Sequence, residues 1–265
     1  MKIIYCGDVV GRAGRDAVIH NLPLMRDKYK ADVIIVNVEN SAHGFGVTPG
    51  IAKEFLEHGA DVLTTGNHVW QQRDIVPFLQ ESKKIIRPLN YPENAPGRGW
   101  TEFELLNGKK ILVTQVLGRV FMDCVDNPAF VLDNLLKNYT LGRNNIAAIF
   151  VDVHAECTSE KLSLGYYLDG RVSIVAGTHT HVPTADARVL SGGTAYITDV
   201  GMCGNYDSVL GFDKQAPIDR LCQKYNGNRL EVCRTNGTVY GIFVETDDKT
   251  GKALSIEQIV LEGAR

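Results

Sequence analysis

The sequence predicts an α/β fold built on two sheets, and three features carry that expectation. Short unbroken apolar runs alternate with helical stretches through the first half of the chain. An Asn107-Gly108 hairpin signal stands near its middle. Further strand-like runs follow to the C-terminus, with no repeat, low-complexity segment or Pro/Ser-rich linker between the halves. The economical reading is one domain over residues 1–265.

Ile3–Cys6 reads as a buried strand, Arg15–Tyr29 as a helix and Val33–Val38 as a second strand. Thr48-Pro49 opens a helix through His58, with Thr48 as N-cap and Pro49 at the first helical position. Asp61–Thr65 is a third strand, and Val69–Gln80 is expected to be a helix. Apolar runs without alternation suit strands covered on both faces by helices or a second sheet. Pro92–Gly99 is a surface loop by composition. Thr101–Leu106 and Lys109–Gln115 flank Asn107-Gly108 as a hairpin. Pro128–Thr140 is expected to be a helix, followed by strands at Ile146–Val153, Val172–Ala176 and Thr194–Thr198. Thr238–Glu245 and Ala253–Val260 close the chain as strands about an Asp247–Gly251 turn.

At 265 residues the chain can bury about 70–75% of the surface its unfolded form exposes. Its net charge of −3 supplies no polybasic footprint, which argues against duplex nucleic acid as a partner. A small nucleotide or other phosphodiester stays compatible, because metals can provide the positive charge. The first residues, Met1 to Asp8, lack the length and cleavage site of a signal peptide. No apolar run is long enough to span a bilayer. The six cysteines are scattered without a CxxC pair, so neither a disulfide framework nor a structural zinc site is expected. A cytoplasmic protein without membrane contact is the resulting expectation, and a homo-oligomer is compatible with it.

The informative pattern is where the polar residues fall. Asp8 follows the first strand, Glu39-Asn40 the second, and Asn67-His68 the third through Gly66. His154 ends the strand Ile146–Val153, and His179 and His181 follow Val172–Ala176 through Gly177-Thr178. In open sheets ligands bind at the carboxyl ends of strands, so these segments can converge on one crevice. Asp and Glu offer anionic oxygen, Asn neutral oxygen, and His imidazole nitrogen. A bridging Glu39 could tie together two divalent ions, which in two-metal sites stand about 3.5–4 Å apart and clamp the oxygens of a displacement at phosphorus. Water held between such ions would supply the nucleophile.

Each piece alone has a plainer reading. Asp8 suits an Asx-turn or helix cap, Asn67-His68 a turn, His179-Thr180-His181 a polar loop, and His154 a satisfied core histidine. The joint pattern, with every piece at a strand end, selects metal binding. His20 inside a helix and His58 near a helix end read as structural. His43, in the Ala42-His43-Gly44-Phe45-Gly46 loop beside these residues, reads as an exposed loop histidine, with a substrate contact as the alternative.

Gly7-Asp8, Glu39-Asn40, Gly66-Asn67-His68, His154 and Gly177-Thr178-His179-Thr180-His181 together resemble the calcineurin-like metallophosphoesterases. The usual opening Asp-x-His is here Asp8-Val9-Val10, and the usual bridging Asp is Glu39. Those departures resemble one subgroup, the YmdB-type phosphodiesterases, as do Gly44-Phe45-Gly46, Thr65-Gly66-Asn67-His68-Val69-Trp70, Val182-Pro183-Thr184-Ala185-Asp186 and Thr198-Asp199-Val200-Gly201-Met202. Where the subgroup tends to read Asn-Gly-Glu-Asn-Ala-Ala, this chain reads Asn37-Val38-Glu39-Asn40-Ser41-Ala42.

The resemblance implies two mixed β-sheets packed as a sandwich and flanked by helices in four layers. It implies hydrolysis of 2′,3′-cyclic nucleotides to 3′-nucleotides. One metal would take Asp8, Glu39, Asn40 and His181, and the other Glu39, Asn67, His154 and His179. Iron is the implied ion, although mixed N/O ligands also suit manganese or zinc. His68 would be the proton donor to the departing 2′ oxygen, as general acids near neutral pH are most often His. Two competing readings are a broader phosphodiesterase or phosphomonoesterase, and a regulatory protein that binds a nucleotide through its metals without turnover.

Overall fold

The computed structural model describes residues 1–223 and 229–263. Strands β1 (Lys2–Cys6) and β2 (Asp8–Val9) lead into helix α1 (Gly11–Tyr29), then β3 (Val33–Asn37), α2 (Pro49–Glu57), β4 (Val62–Thr64) and α3 (Ile75–Glu81). The hairpin β5 (Trp100–Glu104) and β6 (Lys110–Leu117) precedes α4 (Pro128–Leu136), β7 (Ile146–His154), α5 (Thr158–Leu168) and β8 (Ile174–Thr178). Next come β9 (Arg188–Val189), β10 (Ala195–Ile197), β11 (Met202–Cys203), α6 (Gln215–Leu221), β12 (Thr238–Thr246) and β13 (Ala253–Glu262).

Two mixed sheets result. The first has the order β13-β12-β1-β3-β4 and the second β5-β6-β7-β8-β10-β9, with β11-β2 as a small third pair. Strands β1, β3 and β4 run parallel, as do β6, β7, β8 and β10. Successive side chains on a strand face opposite ways, and β1 displays this directly. Ile3 and Tyr5 pack between the sheets with Val33, Ile35, Val113, Phe150 and Ile174. Ile4 and Cys6 face outward to a core shared with Leu22 of α1, Phe55 of α2 and Leu79 of α3. The outer face of the second sheet packs Ile149 and Val175 with Leu132 of α4 and Leu164 and Leu168 of α5. The layers are therefore helix, sheet, sheet, helix, as the resemblance implies. No helix among the described residues is long and apolar enough to cross a membrane.

Local signals read from sequence hold at several ends. The Thr48 side chain accepts the Ile51 N–H at 3.3 Å with Pro49 in the first turn. Asn127 caps α4 in the same way through Ala129 and Phe130. The hairpin turns at Asn107-Gly108, where Gly108 has φ +78°.

Three helix expectations need correction, and two further helices appear. Helix α1 begins at Gly11, four residues before the expected Arg15. Glycine is a poor helix former, but a Cβ at Gly14 would stand 2.1 Å from the Cys203 carbonyl oxygen, so packing against β11 demands glycine there. The expected helix Val69–Gln80 starts only at Ile75. The stretch before it is a chain of turns, with Val69 N–H bonded to Gly66 O and Gln71 N–H to His68 O. Helix α4 stops at Leu136, because Tyr139 turns away to pack on Trp100 and donate to Glu102 at 2.7 Å. Helices α5 and α6 were not expected at all. Strand β8 also runs two residues later than expected and takes Gly177 and Thr178 into the sheet.

Candidate metal centre

The parallel strands aim their carboxyl ends at one edge of the sandwich. There Asp8 follows β1, Glu39 and Asn40 follow β3, Asn67 follows β4, His154 ends β7, and His179 and His181 follow β8. The fold brings all seven together. Ligand atoms of Glu39, His154 and His179 lie within 4.8 Å of one another, and so do those of Asp8, Glu39 and His181. Glu39 belongs to both groups. Asn67 Oδ1 is 3.0 Å from His154 Nε2, and the Asn40 amide is 3.4 Å from His181 Nε2. His68 joins the same cavity, its backbone N–H 3.3 Å from Glu39 Oε2 and its Nδ1 buried without a partner. His43, His20 and His58 stay outside: His43 lines a cleft with Arg12 and Arg15, His20 is exposed on α1, and His58 packs against Glu54 O. A larger cavity of about 880 Å³ around Arg87 and Trp100 holds none of these residues.

The donor set fits metal ions by three observations. First, Asp8 Oδ1 and Asn40 Oδ1 are buried yet have no hydrogen-bond partner. Orphaned buried acceptors are costly, and a cation satisfies several together. Second, Glu39 Oε1, Asn67 Oδ1 and His179 Nδ1 crowd around His154 Nε2 at 3.0, 3.0 and 3.2 Å. Four atoms bearing lone pairs around one point are what a metal holds. Third, a Cβ at Gly66 would lie 2.0 Å from Glu39 Oε2 and 2.6 Å from His154 Nε2. Glycine keeps that cradle open.

Hydrogen bonds behind the histidines select which nitrogen faces the centre. Thr178 Oγ1 donates its one proton to Asp152 Oδ1 at 2.6 Å. It can then only accept from His154 Nδ1, 2.8 Å away, which turns Nε2 to the site. His181 Nδ1 donates to the Leu210 carbonyl at 3.2 Å, again leaving Nε2. His179 places Nε2 against Glu156 at 3.3 Å and so presents Nδ1. Such outer partners orient metal-binding imidazoles.

The electrostatics are correspondingly lopsided. Burial pushes the Asp8 carboxyl well above its usual range, with Glu39 and Asp199 adding to it against the pull of His154. Burial opposes ionisation of Glu39 too, but His154, His68 and His179 outweigh it and bring that carboxyl to about 2. Burial would lower His154, yet Glu39, Asp8 and Asp152 raise it to about 9. His179 falls to about 3 through burial and His154, and burial lowers His181 as well.

The His179-Thr180-His181 loop is strained, with φ +93° at His179 and +65° at His181. Non-glycine residues adopt such backbone only where surroundings impose it. The Asp8 carboxylate accepts the His179 N–H at 2.9 Å. Asp199 accepts from Thr180 N and Oγ1 at 3.2 and 2.6 Å and pairs with the buried Lys161 at 2.8 Å.

A family model described as YmdB-like protein matches residues 4–259. The chain belongs to the YmdB-like family. It is 45% identical over 262 residues, 98% of this chain and 97% of the other, to a Bacillus subtilis protein named 2′,3′-cyclic-nucleotide 2′-phosphodiesterase. A solved structure described as a novel phosphatase from Mycoplasma pneumoniae superposes with TM-score 0.91 and 36% identity, over 99% of this chain and 94% of that one. The calcineurin-like phosphoesterase YfkN of Bacillus subtilis, at 11% identity and TM-score 0.55 over 98% of this chain and 90% of that one, shares the fold. Membership of the YmdB-like family bears out the resemblance read from the motifs, and the fold of YfkN matches the calcineurin-like architecture.

Sequence reading missed the supporting residues of this YmdB-like site. Asp152 sits two positions before His154 on the same face of β7, a signal that strand periodicity carries. Glu156, Thr178, Lys161 and Asp199 have no local signature, since their roles come from partners distant in sequence.

Proposed function

We propose that the protein is a dinuclear-metal phosphodiesterase that hydrolyses 2′,3′-cyclic nucleotides to 3′-nucleotides. The observation that carries this reading is the pair of ligand groups sharing Glu39 beside a histidine, His68, that neither group includes. The name of the Bacillus subtilis relative supports the same substrate class. Asp8, Glu39, Asn40 and His181 would hold one ion, and Glu39, Asn67, His154 and His179 the other. The donors fit iron, with manganese or zinc compatible. Two ions bound there would neutralise phosphate charge and lower the pKa of water enough to generate a nucleophile near neutral pH.

The chain's own residues supply the rest. His68 lines the cavity of about 460 Å³ that also contains Glu39, Asn40, His179 and His181. As the P–O2′ bond breaks, His68 gives its proton to the 2′ oxygen, so that phosphate stays on the 3′ oxygen. An alkoxide leaving group needs such a donor, whereas a protein that only bound nucleotides would not.

The test is turnover of 2′,3′-cyclic AMP by protein loaded with iron or manganese, with products resolved by phosphorus NMR. 3′-AMP is the expected product. Turnover of aryl phosphate esters without any of the cyclic nucleotide would favour the broader phosphoesterase reading instead.

A further inference from the structure

The wall of the cavity above the ligands is apolar, and its construction is specific. Phe45 and Leu210 are 39% and 47% exposed beside a floor of acids and imidazoles. The Phe45 ring stands edge-on to His68 with centroids 5.1 Å apart and is tilted against Phe212 at 5.7 Å.

Both segments are pinned in place. The Phe45 N–H donates to Ala42 O at 3.0 Å, and the Gln72 side chain donates to Phe45 O at 2.8 Å. Val209 and Phe212 exchange backbone hydrogen bonds at 2.9 and 3.0 Å around Leu210-Gly211, where φ is +54° and +93°. Positive φ at both central residues marks a tight I′-like turn. Leucine is an unusual choice for the first of them. The Leu210 carbonyl also accepts from His181 Nδ1, so the turn that carries the apolar wall is tied to the metal centre.

We infer that Phe45, with Phe212 behind it, is the platform for the nucleobase of the substrate and thereby selects which P–O bond breaks. This rests on the phosphodiesterase reading above and adds the orientation of the substrate to it. In a 2′,3′-cyclic nucleotide the base is on C1′, next to the carbon that bears the 2′ oxygen. A base lying on Phe45 turns the 2′ side of the ribose toward His68 and the 3′ side away from it. The P–O2′ bond then breaks, the water oxygen ends on phosphorus, and the proton from His68 ends on O2′. Recognition by stacking tolerates any base, because every base has a π face.

Two readouts test it. For wild type, kcat/KM is measured on 2′,3′-cyclic AMP and on the 2′,3′-cyclic phosphate of 1-O-methylribose, which has no base, with the ratio of 3′ to 2′ products. Calorimetry then compares binding of 3′-AMP and of inorganic phosphate to the metal-loaded protein. Phe45→Ala should lower kcat/KM for the nucleotide about tenfold or more, in keeping with the strength of base stacking. It should admit 2′-AMP among the products and weaken 3′-AMP binding, while leaving the base-free substrate, phosphate binding and metal content unchanged. Phe45→Trp should keep the wild-type pattern. Equal losses on both substrates, or no loss on either, would overturn the platform while the phosphodiesterase reading stands. A wild type that hydrolyses neither cyclic phosphate would overturn both.

Discussion

The two sheets of the sandwich bring different chemistry to their common edge. Every candidate oxygen donor lies at or just beyond a strand end of the first sheet: Asp8 after β1, where β2 begins, Glu39 and Asn40 after β3, Asn67 after β4. Every candidate nitrogen donor hangs from the second: His154 on β7, His179 and His181 after β8. Neither sheet carries the mixed candidate set alone, so these donors meet only where the sheets are packed in one alignment. Just beneath it Asp152 of β7 accepts from Tyr5, Thr64, Asn37 and Gln115 through Oδ2 at 2.5, 2.9, 3.4 and 2.6 Å, and from Thr178 through Oδ1. Tyr5, Asn37 and Thr64 belong to the first sheet, Gln115 and Thr178 to the second. One buried carboxylate therefore ties the halves together at the level where their ligands must meet. The nitrogen side leans on a strained loop and a buried ion pair, whereas Glu39 is fixed by the strand end before it.

The largest expected effect comes from breaking the oxygen side at the residue common to both groups. Glu39→Gln should abolish turnover and deplete both ions, while Asn40→Ala should deplete only one, as elemental analysis would reveal. Retention of both metals and rate by Glu39→Gln would remove the bridge.

Next is His68, which follows β4 of the first sheet and is proposed as the proton donor. His68→Ala should keep the metals and slow hydrolysis of 2′,3′-cyclic AMP by about 10²–10⁴-fold, the usual contribution of a general acid. The deficit should shrink for a nitrophenyl phosphodiester, whose leaving group needs little protonation. Equal slowing of both substrates, or loss of metal, would make His68 a ligand or binder instead.

On the nitrogen side, Lys161→Met leaves Asp199 buried and uncompensated behind the His179–His181 loop. Breaking such a pair costs about 3–5 kcal/mol, measurable by urea denaturation, and metal should bind less tightly to the loosened loop. An unchanged denaturation midpoint would mean that the loop holds itself. The mildest change is Thr178→Val, which removes the acceptor that orients His154. Metal affinity should fall by about 10–100-fold, the usual effect of losing an outer partner, and Thr178→Ser should restore it. A full-affinity valine variant would show that His154 is oriented by its ligand neighbours alone.

Much of this edge was legible in the sequence because apolar strands stop abruptly at residues with donor atoms, and the sheet geometry then collects those ends. Asp8, Glu39, Asn67 and His154 are all read that way. The rest depends on tertiary partners. Helix α5 carries Gly165 and the adjacent Tyr166 and Tyr167, which obscure any helical stripe. Strands β2 and β11 are two residues each and exist only as a pair. Lys161 and Asp199, or Phe45 and Phe212, meet only after folding. The place of His154 at a strand end was legible, but the nitrogen it presents follows from Thr178 and Asp152, which no spacing rule connects to it.

The shared Glu39 is best tested by electron paramagnetic resonance of apoprotein titrated with manganese(II). A carboxylate bridging two ions about 3.5–4 Å apart predicts two ions per chain and a spin-coupled pair signal, with the coupling lost in Glu39→Gln. Binding of a single ion, or of two ions that stay magnetically independent, would contradict it.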